Sequence, residues 1–219
     1  MNSPIVLTPT LTESALTESG FVHFDGSLYA EFVTGTFAGG LELVDRIGQA
    51  AEEANHHPDV RLSYGTVAVT LSSDDAGGVT DRDVRLAIVI HRIARELGLT
   101  ATGVYPGRYD VAIDCTDTDA IKGFWLAALG YVETTGDNGI ELVDPVGAGP
   151  RVWFQHMEIP RTDRNRIHLD AYVPAADAEE RVAAIIAAGG TLVADQFAPD
   201  WWVMADVEGN EMCVCSSTN

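Results

Sequence analysis

The chain has 219 residues, 46% of them hydrophobic, with a formal charge of -20 and a pI near 4.4. That acidity repels nucleic acid and anionic membrane surfaces over most of the protein, so neither is an expected partner. Three cysteines, Cys115, Cys213 and Cys215, form no CxxC pair and suggest neither a disulfide framework nor a zinc knuckle; no basic-then-apolar leader and no long apolar run is present, so a cytoplasmic setting is expected.

In chain order, Phe21 to Phe24, Asp25-Gly26 and Ser27 to Phe32 read as two strands about an Asp-Gly turn. Val44, Ile47, Ala51 and Ala54 recur at helical spacing, which predicts an amphipathic helix from near Gly40 that stops at His56-His57-Pro58. From Arg61 to Leu71, alternation of Val67, Val69 and Leu71 with polar or small residues predicts one strand with a single core face. Thr80-Asp81-Arg82-Asp83 has capping-box spacing and opens a second helix that runs to Gly98. Turn residues around Thr102-Gly103-Val104-Tyr105-Pro106-Gly107 mark a linker over 101–107, between a domain over 1–100 and one over 108–219.

The second half carries an internal repeat, with modules expected at about 108–158 and 164–216. Each copy reads strand, helix, then about three strands: Val111 to Asp114, the helix ending at Gly130, Asp144-Pro145-Val146-Gly147 and Val152 to Gln155; then Ile167 to Asp170, a helix up to Gly190, Asp206-Val207-Glu208-Gly209 and Glu211 to Val214. Neither half-unit covers its own sheet, so the two are expected to close around a shared concavity.

Candidate chemistry centres on two adjacent imidazoles. Taken alone, His56 and His57 are ordinary residues for a helix C-terminus, where a cation meets the macrodipole favourably. The wider pattern is more specific: Glu52, His56-His57-Pro58, Tyr64, then Ser72-Ser73-Asp74-Asp75-Ala76-Gly77-Gly78-Val79-Thr80 and Asp83. Over roughly residues 10–98 this resembles the pterin-4a-carbinolamine dehydratases, with one departure, because Asp74 stands where that family usually carries a third histidine.

The resemblance implies an α+β domain whose antiparallel sheet is backed by helices and which forms homo-oligomers. The implied reaction removes water from a 4a-hydroxytetrahydropterin to give the quinonoid dihydropterin and needs no cofactor. It requires a proton for the departing hydroxyl and a base for a ring-nitrogen proton, both within the range of an imidazole. On this reading His56, His57 and Asp74 are the catalytic set, and Glu52, Tyr64 and Asp83 contact the pterin. Asp83 equally suits a helix-capping role, and Tyr64 an ordinary packed strand position. Aspartate is ionised at neutral pH and has almost no proton to donate, so the exchange at Asp74 bears directly on turnover.

Asp117 ahead of Phe124 to Tyr131, with Ile167-His168-Leu169-Asp170 and Asp206 to Glu211, makes the second half similar to glyoxalase-like domains of the vicinal oxygen chelate superfamily. The resemblance implies paired βαβββ modules and a small-molecule ligand. It also implies a possible divalent metal, with His168 and Glu211 at ligand positions. The first module offers only Asp110 or Ala112, and Gln155 or His156, at the corresponding places. Of Trp201 and Trp202, at most one faces the cavity if the segment is extended. Two alternatives stay open: a metal-dependent lyase or dioxygenase in the second half with an inactive dehydratase-like oligomerisation domain, or a protein that binds ligands at both sites without catalysis.

Overall fold

The computed structural model describes residues 5–107, 109–136, 139–161, 163 and 165–217; positions 108 and 164, where module starts were expected, lie outside them. The chain divides into two compact units, Met1–Gly107 and Arg108–Asn219. None of the described helices is long and apolar enough to cross a membrane.

In the first unit a short helix α1 (Pro9–Leu16) precedes a hairpin of β1 (Val22–Phe24) and β2 (Ser27–Val33). Asp25 and Gly26 both have positive φ, 48° and 75°, the geometry an Asp-Gly hairpin turn requires. Helix α2 (Phe37–Ala54) follows, then β3 (Asp59–Ser63), β4 (Thr66–Leu71), α3 (Asp81–Glu96) and β5 (Thr100–Ala101). The all-antiparallel sheet runs β1-β2-β4-β3, with β5 added alongside β2. The expected single strand from Arg61 to Leu71 is therefore a hairpin. Gly65, at φ 80°, lets the chain reverse between Ser63 and Thr66, which pair. Leu28, Ala30 and Phe32 of β2 and Val67, Val69 and Leu71 of β4 point to one face, where Leu43, Ile47, Leu86 and Ile90 of the helices cover them.

The second unit holds two modules of the same order. The first comprises β6 (Asp110–Cys115), α4 (Thr118–Leu129), β7 (Val132–Gly136), β8 (Gly139–Val143) and β9 (Arg151–His156). The second comprises β10 (Leu169–Pro174), a 3₁₀ turn, α5 (Ala178–Ala187), β11 (Thr191–Ala194), β12 (Trp201–Ala205) and β13 (Glu211–Ser217). Each forms a four-stranded sheet, β6-β9-β8-β7 and β10-β13-β12-β11, whose outer pair is parallel. Residues of both modules join one core, including Ile121 and Phe124 of α4, Ile185 of α5, and Met204 and Met212.

The repeated Asp-x-x-Gly turns have a shared cause. Asp144 accepts hydrogen bonds from the N–H groups of Val146, Ala148 and Gly149, and Asp206 from those of Glu208 and Asn210, so each carboxylate organises the turn after it.

Gly190 leaves α5 with no room for a side chain: an added Cβ would stand 2.6 Å from the Phe124 ring and 3.0 Å from the Ile185 carbonyl oxygen. Gly190→Ala is expected to destabilise this unit by about 1–3 kcal/mol through overpacking, read as a lowered urea midpoint at unchanged slope.

Candidate active site

The end of α2 directs the first imidazole inward. Asn55 takes a left-handed conformation at φ 47°, and the His56 N–H bonds back to the Ala51 carbonyl, closing the last turn as a Schellman-type stop does. His56 is thereby buried at 9% exposure, and Pro58 leads into β3.

Its partner is Asp83. The fully buried carboxylate lies at the third position of α3 and completes the capping box with Thr80. Asp83 Oδ1 accepts from His56 Nε2 at 2.6 Å, while Oδ2 accepts from Ser73 Oγ at 2.7 Å and from the Thr80 N–H and hydroxyl at 2.7 and 3.0 Å. Burial pushes this carboxyl upward, but the hydrogen bonds from Ser73, Thr80 and His56 outweigh it and hold it below the ordinary carboxylate range. An ionised carboxylate only accepts, so the His56 Nε2 carries the proton in this bond. Capping and positioning of an imidazole are thus performed by the same aspartate.

His57 differs in environment. It is more than half exposed, and its Nε2 donates to Glu52 Oε1 at 3.1 Å on the surface of α2. Glu52 thus meets His57 rather than the buried pair.

Asp74 lies exposed in the Ser73–Gly78 turn, and among the described residues its carboxylate has no hydrogen-bond or ion-pair partner. It is not within hydrogen-bond reach of either imidazole. Asp75 beside it is paired with Arg82 at 2.5 Å, and that bond, with a smaller contribution from His56, holds its carboxyl low.

Tyr64 is displaced from the expected position. It sits in the β3–β4 turn at 83% exposure, neither on a strand nor packed. The turn joins Ser63 to Thr66 at the end of the hairpin opposite Asp59.

One residue near the site was missed in the sequence. His23 of β1 bonds Thr12 Oγ1 through Nδ1 at 3.0 Å; burial lowers its pKa, while the charge of Asp83 pulls the other way. His23 therefore lies within electrostatic reach of the same carboxylate. Nothing in the local pattern around Asp25-Gly26 signals this, because 60 residues separate the two positions.

In the second unit, His168 and Glu211 stand one residue ahead of the paired Leu169 and Met212, at the starts of adjacent strands. Both line a cavity of about 410 Å³ with Asp114, Trp125, Arg166 and Glu208. The first module brings no imidazole to this lining. Asp110 pairs in register with Arg151, Ala112 with Trp153, Asp114 with Gln155, and Cys115 with His156, which is exposed. The first-module carboxylate that shares this lining with His168 and Glu211 is Asp114. Among the described residues, the donors that come within one ion's reach are those of His168, Asp170 and Cys213. Trp202 enters the core, whereas Trp201 takes the opposite face and stacks on Phe197 at 4.3 Å.

The fold and these sites define a two-domain α+β protein, with a histidine-bearing antiparallel-sheet domain followed by paired glyoxalase-like modules. Residues 6–93 match the family model for pterin 4 alpha carbinolamine dehydratase, and residues 110–215 match that for a glyoxalase-like domain. A Herpetosiphon aurantiacus protein assigned to the pterin-4-alpha-carbinolamine dehydratases is 38% identical over 90 residues, which is 41% of this chain and 94% of that protein. The chain belongs to the pterin-4-alpha-carbinolamine dehydratase family. Among solved structures, a transcriptional coactivator/pterin dehydratase from Brucella melitensis is 27% identical, with 41% of this chain and 99% of that chain covered at a TM-score of 0.39. The fosfomycin resistance protein FosX of Listeria monocytogenes is 11% identical, with 52% and 94% covered at a TM-score of 0.42.

Proposed function

We propose that the first domain dehydrates a 4a-hydroxytetrahydropterin to the quinonoid dihydropterin, and that the second binds a small molecule in its 410 Å³ cavity. The observation that carries the first part is the His56–Asp83 hydrogen bond of 2.6 Å beside the exposed His57–Glu52 pair, within the segment that defines the family.

The two imidazoles have different tasks. His57, open to solvent and faced by the Glu52 carboxylate, delivers a proton to the departing 4a-hydroxyl, which leaves as water when the carbon–oxygen bond breaks. His56, with Nε2–H committed to Asp83, offers Nδ1 to the proton lost from a ring nitrogen. Asp83 is the positioning residue that fixes this tautomer. Asp74 contributes negative charge at the rim but no proton, so the rate is reduced relative to a site with three imidazoles.

Steady-state dehydration of an authentic 4a-carbinolamine tests this. Wild-type protein is expected to exceed the buffer rate, Asp74→His to raise it by about tenfold or more, and His57→Ala to lower it by about 100-fold. A wild-type rate equal to buffer would defeat the catalytic reading.

A further inference from the structure

We propose that the second domain holds a zinc-type divalent ion on His168, Asp170 and Cys213. One imidazole nitrogen, one carboxylate oxygen and one sulfur lie within 4.8 Å of one another there. The fold produces this set directly. His168 and Asp170 flank Leu169 at the start of β10, so alternation sends both to the face opposite the core. Cys213 of β13 stands opposite Asp170 in the parallel register, and its neighbours Met212 and Val214 fill the core from the other side of the strand.

Ligand distances of about 2.0–2.3 Å place donors around a tetrahedral ion about 3.3–3.8 Å apart. His168 Nε2 and Asp170 Oδ1 are already at 3.4 Å. His168 and Asp170 are each nearly half exposed, so small side-chain rotations close the remaining gap without moving the backbone. Sulfur with imidazole selects zinc-like ions over magnesium or calcium, and three protein donors leave one tetrahedral position for water or a ligand. His168 also lines the cavity, so that open position has access to a small molecule.

A thiol-nucleophile reading of the same residues fits less well. The imidazole would have to face the sulfur, but Asp170 is the hydrogen-bond partner of Cys213. On binding, the ion takes the thiolate and the thiol proton passes to solvent.

The test is Co(II) titration of the full-length protein after chelator treatment, followed by absorption. One equivalent is expected to give thiolate-to-cobalt charge transfer in the near ultraviolet, together with the intensified visible bands of four-coordinate cobalt. Cys213→Ser should abolish the charge transfer and weaken Co(II) binding by at least about tenfold. Cys215→Ser and Glu211→Gln should leave the charge transfer intact. His168 is half exposed, so His168→Gln should stay folded and must itself weaken binding at least about tenfold, a check that stands even if the cysteine variant misfolds. No charge transfer in the wild type, its survival in Cys213→Ser, or bound cobalt lost only with Glu211→Gln would each overturn the site.

Discussion

Asp83→Ala is expected to lower the stability of the first domain by about 3–5 kcal/mol, the range seen when one member of a buried, hydrogen-bonded pair is deleted. The change strands His56 Nε2, the Ser73 hydroxyl and the Thr80 N–H in a buried site, and also removes the anion from the start of α3. Asp83→Asn keeps the volume and one acceptor and should cost less, yet it no longer enforces the His56 tautomer. Both variants are therefore expected to lose dehydratase activity, the asparagine one out of proportion to its stability. Acid adds a second signature. The Asp83 carboxyl sits below its unfolded value, so its contribution is complete above about pH 4 and lost as pH falls through the lower folded value. Urea midpoints between pH 6 and 3 should fall for the wild type and fall less for Asp83→Asn. Equal acid slopes would show that this carboxylate does not drive the loss.

That aspartate also shows what the sequence disclosed and what it withheld. The capping-box spacing from Thr80 to Asp83 located a helix start from local residues, and the helix is there. The contact with His56 spans 27 positions and depends on how α2 ends against α3, which no local pattern encodes. The Asp-Gly hairpin was legible because its turn needs positive φ at two consecutive residues, whereas the Tyr64-Gly65 turn was hidden inside a continuous run of strand-forming residues. That omission is why Tyr64 was expected on a strand, whereas it stands exposed in the turn. The paired modules were legible as a repeat, since the same aspartate-centred turn recurs at Asp144 and Asp206. Cys213 shares strand parity with Glu211, but its opposition to Asp170 depends on a parallel register that the order of strands alone leaves open. The metal candidates accordingly began with His168 and Glu211, at positions the resemblance supplied, and Asp170 became visible as a donor only through the register.

Glu208→Ala is expected to destabilise the second domain by about 2–3 kcal/mol, because this one side chain ties the second module to the start of the first module's helix. Glu208 lies in the turn between β12 and β13, yet its carboxylate accepts from the Thr116 N–H with both oxygens at 2.9 Å, from the Thr116 hydroxyl at 2.8 Å and from the Asp117 N–H at 2.9 Å. Those donors precede α4, where backbone N–H groups have no partner within the helix and the dipole favours an anion. Partial burial acts to raise the Glu208 carboxyl, but the bonds from Thr116 and Asp117 prevail and hold it low, so the tie weakens in acid. A second link lies close by: Trp125 Nε1 donates to Asp206 Oδ2 at 3.1 Å. Glu208→Gln keeps an acceptor and should show roughly half the loss. Hydrogen exchange gives the discriminating readout. Protection should fall together at the first turn of α4 and in the β12–β13 turn, 92 residues apart in sequence, while β2 and β4 of the first domain keep theirs. Loss confined to the β12–β13 turn would mean that Glu208 stabilises only its own loop and does not tie the modules together.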